Sequence, residues 1–138
     1  MNELRASVDE LNAVLGETPF LKRYRFNVVS CAPGDCVMEV PFDADLERPG
    51  GIVSGMTLMG AADVAMWLAI MTLRGTSEQW VTSDMKTAFL RSARREAFRC
   101  TARIVKLGRG TAYGTAESSG ATSGLLAHHV VTYAKVAS

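Results

Sequence analysis

The sequence predicts an α+β fold in which one antiparallel sheet wraps a single long apolar helix, and three observations carry that prediction. The stretch from Gly50 to Leu73, GGIVSGMTLMGAADVAMWLAIMTL, is apolar almost all round and holds one ionisable group, Asp63. Around it lie short segments of alternating apolar and polar residues bounded by Gly, Pro and Ser turns, the mark of strands. The chain has 138 residues, enough for one core. A helix apolar on every side must be enclosed either by its own protein or by a bilayer. A carboxylate at mid-membrane costs about 2.5 to 3.5 kcal/mol, and no second span exists, so the expected enclosure is a curved sheet.

The elements follow in order. Leu4, Val8, Leu11 and Leu15 recur at helical spacing with Gly16 and Pro19 beyond, which predicts an amphipathic helix over 3–15. Residues 21–30 alternate as a strand, Pro33-Gly34-Asp35 makes a turn, and 36–42 returns as the second arm of a hairpin. The charged segment 43–51 is a loop. The long helix then runs from Gly55 to about Leu73, with Ser54 placed to cap it and Gly75 to end it. Four strands follow, over 79–90, 96–106, 111–118 and 125–136, with Gly108-Arg109-Gly110 as a tight turn. On the third of these, Ala112, Gly114 and Ala116 share a face small enough for something bulky to lie close.

Composition narrows the function. Three cysteines, Cys31, Cys36 and Cys100, are too few and too irregular for a disulfide framework or a zinc site, which predicts reduced thiols in a cytoplasmic protein. The first residues, MNELRASVDEL, have neither the basic and apolar regions of an export signal nor a transit composition. Net charge is +1, yet residues 1–85 sum to −6 and 86–109 to +7. A short basic segment in a nearly neutral chain fits a small polyanion better than nucleic acid, and its other use is solvated strand faces. His128 and His129 are adjacent in a strand and so face opposite sides, which argues against a shared metal ion. Met56, Met59, Met66, Met71 and Trp67 are expected to pack core and interface.

The motifs "GGIVSGMTLMGAADVA", "VTSDMKTAFLRSAR", "ARIVKLGRGTAYGTAE" and "GLLAHHVVTYAKV" resemble those of hotdog-fold acyl-CoA thioesterases of the phenylacetate-pathway, PaaI-like group. The resemblance covers about residues 20–136 and implies one domain over 1–138, with residues 1–18 as an N-terminal helical segment ahead of the core. In that family the helix opens with His-Gly-Gly and carries an acid eight residues after the first of those glycines. Gly55 and Asp63 keep the spacing, whereas Ser54 stands at the histidine, Met56 at the second glycine, and Arg48 at an upstream asparagine.

The resemblance implies catalytic roles for four residues. Asp63 would supply the carboxylate, as general base or nucleophile. The Gly55 amide at the helix N-terminus would face the developing oxyanion, Thr82 would position water or carboxylate, and Ser54 would cap the helix or join the chemistry. It also implies that Arg91, Lys106, Gly108 and Arg109 contact the phosphates of coenzyme A, that Met56 lines the substrate site, and that no cofactor beyond the substrate's own coenzyme A is needed. Eight residues of helix rise about 12 Å, too far for the Gly55 amide and the Asp63 carboxylate of one chain to hold one carbonyl, so a shared site requires two chains. The resemblance implies the same homodimer, often paired into a tetramer, with no membrane or nucleic-acid partner. Two alternatives stay open: a hotdog protein that binds acyl-CoA without cleaving it, and a hydratase or dehydratase on the same fold.

Overall fold

The structure is a computed structural model that describes residues 3–137. Its elements are α1 (Val8–Gly16), a 3-10 turn (Pro19–Tyr24), β1 (Asn27–Ala32), β2 (Asp35–Val40), the two-residue strands β3 (Glu47–Arg48) and β4 (Ile52–Val53), α2 (Gly55–Arg74), β5 (Trp80–Phe89), β6 (Phe98–Leu107), β7 (Thr111–Gly120) and β8 (Gly124–Lys135). Six strands form one sheet in the order β1-β2-β6-β7-β8-β5, antiparallel throughout, and β3 and β4 pair separately ahead of α2. The sheet wraps α2, as the apolar circumference of that helix requires.

Why the sheet curves is visible in its register. Val29, Ser83, Val105 and Leu126 are each an extra residue opposite a shorter partner segment. Each such bulge bends its strand and increases local twist. The small face of β7 then does what its composition predicts: Ala112 and Ala116 are fully buried, and a Cβ added at Gly114 would stand 2.6 Å from Met66 Cε of α2. Met66 itself is fully buried, so helix and sheet meet here with no room for another carbon. At the far end of α2, Thr72 Oγ1 accepts from the Gly34 amide at 2.8 Å and donates to the Ala69 carbonyl, which ties the β1–β2 turn to the helix. α2 is long and apolar enough to cross a membrane, but it lies mostly buried within this fold.

Several boundaries differ from the sequence expectation. α1 begins at Val8, not at residue 3, because Ser7 and Glu10 form a reciprocal capping box: Ser7 Oγ accepts from the Glu10 amide at 3.1 Å and Glu10 Oε1 from the Ser7 amide at 3.0 Å. Residues 21–24 are a 3-10 turn, not a strand, because Pro19 opens it, Leu21 buries into the core, and Arg25 in the left-handed region (φ 54) ends it. β6 starts at Phe98, not at residue 96, because Glu96 accepts from the amides of Thr122 and Ser123 (3.1 Å each) and fastens the β7–β8 turn. α1 lies against the β1 edge, where the Asn12 amide group bonds Val28 N and O at 2.9 and 3.1 Å.

The adjacent histidines part as alternation predicts. His129 is fully buried, with Thr87 Oγ1 2.8 Å from Nδ1 and Ser118 Oγ 3.0 Å from Nε2. Burial, and secondarily the charge of His128, push its pKa down to about 4 from the ordinary 6.5. The folded state therefore takes up this proton later than the unfolded chain, and stability falls as pH drops below 6.5. That loss approaches about 3 kcal/mol below pH 4 and is absent above 6.5. Urea unfolding from pH 4 to 7 is expected to show it, with the slope flattened in His129→Gln. Gly114→Val, which drives methyl groups into Met66 and the Arg103 carbonyl, is expected to lower the unfolding free energy by about 2 to 3 kcal/mol in the same assay at pH 7.

Candidate active site

Asp63 sits half-buried on the face of α2 that looks toward β5 and β8. Thr82 Oγ1 donates to its Oδ1 at 2.5 Å. Tyr133 Oη donates toward the same oxygen at 2.8 Å and toward the Asp63 carbonyl at 2.7 Å. Thr82 and Tyr133 are directly opposed across β5 and β8, so the two donors are fixed to each other by the sheet ladder before they meet the helix. Burial raises the pKa of Tyr133, and the adjacent carboxylate raises it further, so the phenol keeps its proton and remains a donor. Oδ2 of Asp63 receives no hydrogen bond from any described residue. One carboxylate oxygen is thus held and the other is left open.

The second half of the site is the start of α2. Ser54 is its N-cap: Oγ accepts from the Met56 amide at 3.1 Å, and the Ser54 carbonyl accepts from Thr57 and Leu58. The Gly55 amide donates to none of the described groups, and the helix dipole adds partial positive charge at that point. The Phe89 ring packs close to Gly55: an added Cβ would lie 3.2 Å from it, and this exposed side chain would have to give by a few tenths of an ångström. Beside it opens a cleft of about 350 Å³ lined by Arg48, Gly55, Leu58, Phe89 and Arg91. Arg91 is steadied by donating to the Ser123 carbonyl at 3.0 Å. The Met56 side chain is 78% exposed and leaves the surface of the chain at this end.

The basic residues expected to act as one group are divided within a chain. Arg91 lies at the Gly55 end of α2, whereas Gly108 lies at the other end, where its carbonyl accepts from Arg74 Nη1 at 3.3 Å, with Lys106 and Arg109 in the same hairpin. Arg99 and Arg103 are occupied differently, paired across the outer sheet face with Glu39 (3.1 Å) and Asp35 (4.0 Å). They are the solvated strand face that composition alone also allowed.

Two residues at these places were not singled out as site residues from the sequence. Tyr133 carries a readable signal, the buried alternation His129, Val131, Tyr133 along β8, but nothing in the sequence says which strand lies opposite Thr82. Arg48, a departure from the family pattern, lines the cleft beside Gly55.

Comparison with known proteins bears on this geometry. A sequence model of the thioesterase superfamily matches residues 50–125, more than half of the chain. A Saccharolobus solfataricus protein named as an esterase is 28% identical over 81 residues, covering 59% of this chain but only 57% of that protein, so little more than half of its length is matched. A Silicibacter sp. TM1040 protein, named as a thioesterase, has a solved structure that superposes with a TM-score of 0.87 at 28% identity, covering 98% of this chain and 95% of that one. The E. coli PaaI protein from the phenylacetic acid degradation operon superposes with a TM-score of 0.82 at 18% identity, covering 91% and 90%, a likeness of fold. The sheet-wrapped helix is therefore the hotdog fold, and the chain belongs to the thioesterase superfamily.

Proposed function

We propose that the protein hydrolyses the thioester of a small or medium acyl-CoA, aliphatic or aromatic, at sites shared between two subunits. The observation that carries this reading is a carboxylate with one oxygen clamped and one open, on the same helix as an unbonded N-terminal amide about 12 Å away. The strand between them has a bare edge. β1, the opposite edge, is covered in part by α1 through Asn12, but β5 pairs with β8 alone over its ten residues and exposes Val81 and Phe89. A long uncovered edge is a template for another strand.

β5 also spans the two halves of the site, with Phe89 against Gly55 and Thr82 bonded to Asp63. Antiparallel pairing of two β5 strands about a two-fold axis lays the Phe89 end of each chain beside the Thr82 end of the other, bringing Gly55 of the partner subunit toward Asp63. The same operation joins the divided basic groups, because the β6–β7 hairpin lies at the Trp80 end of β5, where Lys135 N donates to the Gly110 carbonyl at 2.9 Å. Lys106, Gly108 and Arg109 of one chain and Arg91 of the other then flank one site as candidates for the coenzyme A phosphates.

In this reading Asp63 Oδ2 takes a proton from an attacking water, Thr82 and Tyr133 hold the carboxylate in place, and the partner's Gly55 amide receives charge on the thioester oxygen. The C–S bond then breaks, and the leaving thiolate takes the proton back from Asp63. His129 is bonded to Thr87 and Ser118, so Asp63 has no histidine partner among the described residues, which favours hydrolysis over hydration. The buried free thiols Cys36 and Cys100 support a cytoplasmic setting.

Thiol release from acyl-CoA substrates is the direct test. Wild-type protein is expected to release thiol, and Asp63→Asn to lose about 10²- to 10⁴-fold in kcat. Binding of acyl-CoA with no release from any ester points instead to a binding protein. A mixture of Asp63→Asn and Gly55→Pro chains is expected to regain about one quarter of wild-type activity after exchange, since half of the dimers are mixed and each carries one whole site. Proline is compatible with the backbone there, because Ser54 is extended (ψ 138) and the first helical position needs no intrahelical N–H. No recovery despite proven exchange contradicts the two-chain site.

A further inference from the structure

We propose that Cys31 and Cys36 form an oxidation site, at which a hydroperoxide oxidises Cys31 on the sheet edge and Cys36 closes a reversible disulfide beneath it. The two cysteines are directly opposed partners across β1 and β2. Opposed residues of an antiparallel pair stand about 4.5 or 5.5 Å apart at Cα, and a disulfide bridges about 4.4 to 6.8 Å, so either spacing suffices. Opposed side chains also share one face of the sheet. Cys36 is fully buried, so that face is the inner one.

The register that opposes them is pinned. Pro33 and Gly34 make a two-residue turn between Ala32 and Asp35, and Gly34 takes the positive φ (85) that the second position of such a turn favours. The turn is anchored from both sides: the Gly34 amide donates to Thr72 Oγ1 of α2, and the Gly34 carbonyl accepts from the Ile104 amide of β6 at 2.8 Å. The thiols sit one pair beyond this turn and stay facing each other.

They differ in access. β1 is an edge strand, and Cys31 on it is half-buried, its Sγ donating to the Ala6 carbonyl at 3.8 Å. Cys36 lies on β2, between β1 and β6. Burial raises the pKa of both thiols, that of Cys36 to about 12, so Cys31 is the one that ionises and meets the oxidant. Its thiolate breaks the peroxide O–O bond, keeping one oxygen as a sulfenic acid while the other leaves with the thiol proton as water or an alcohol. Turned away from Ala6 about its Cα–Cβ bond, the Cys31 sulfur then meets Cys36. The Cys36 sulfur attacks it, the S–O bond breaks, and the hydroxide departs with the Cys36 proton as water. Two thiols lose two electrons and one peroxide gains them. Cys100 serves as an internal comparison, since it is fully buried opposite Met38 and is the direct partner of neither thiol. The site is independent of the hydrolase reading, because Asp63 faces β5 and β8 at the other edge of the sheet.

Cys31 and Cys36 fall on one tryptic peptide, with Cys100 on another, so mass spectrometry resolves the products. Folded wild-type protein treated with hydrogen peroxide is expected to fall from three titratable thiols to one. The shared peptide loses two hydrogens, the Cys100 peptide is unchanged, and dithiothreitol restores all three thiols. In Cys36→Ala the closing thiol is gone, and Cys31 is expected to gain two or three oxygens that dithiothreitol does not remove. Cys31→Ser is expected to keep its two remaining thiols at the same dose. Three surviving thiols in the wild type, a disulfide that includes Cys100, or Cys31 as over-oxidised in the wild type as in Cys36→Ala overturns the proposal. The wild-type peptide map decides the question even if neither variant folds.

Discussion

The twenty residues of α2 are stable only with apolar atoms on nearly every side, and the sheet supplies them by coming into contact at Gly114 and Met66. That enclosure fixes most of the remaining architecture. The strands must bend, which the four bulges accomplish, and the side chains of β7 facing the helix must be small. Burial of Met66, Leu68 and Ile70 drives the packing, at a cost that any added carbon on β7 makes plain.

Against that background the placement of Asp63 is a physical exception that the fold accommodates with specific partners. A carboxylate on an apolar helix is costly unless hydrogen bonds replace the water it loses, and Thr82 and Tyr133 provide them from two adjacent strands. Because both donors reach Oδ1, the carboxylate is oriented without being consumed. The start of the same helix shows the complementary condition, with Ser54 satisfying the second amide and leaving the first unbonded.

Much of this was legible in the sequence because it depends on local chemistry. The long helix, its Ser54 cap, its lone acid, the small face of β7 and the split of His128 from His129 all follow from spacing over a few residues. Thr82 and Gly55 came from motif resemblance, and the structure places one on Asp63 and the other at an unbonded helix end. Errors arose where a local signal was outcompeted. Leu4 has helical spacing with Val8, yet the Ser7–Glu10 box starts the helix later, and residues 21–24 alternate like a strand while Pro19 and Arg25 bound a 3-10 turn. Tyr133 was invisible for a different reason, since its role depends on which strands are neighbours and in what register, and that is set by the whole sheet.

The extra residue on β5 has a meaning beyond curvature. In an unbroken strand, positions 82 and 87 differ by an odd number and point to opposite faces. Here Thr82 reaches the helix carboxylate and Thr87 reaches the interior histidine, so both look inward from one strand. Ser83 makes this possible by shifting the parity between them. A single inserted position thereby lets one edge strand seal the core at one end and furnish a polar donor to the chemistry at the other, two duties that strict alternation would assign to different strands.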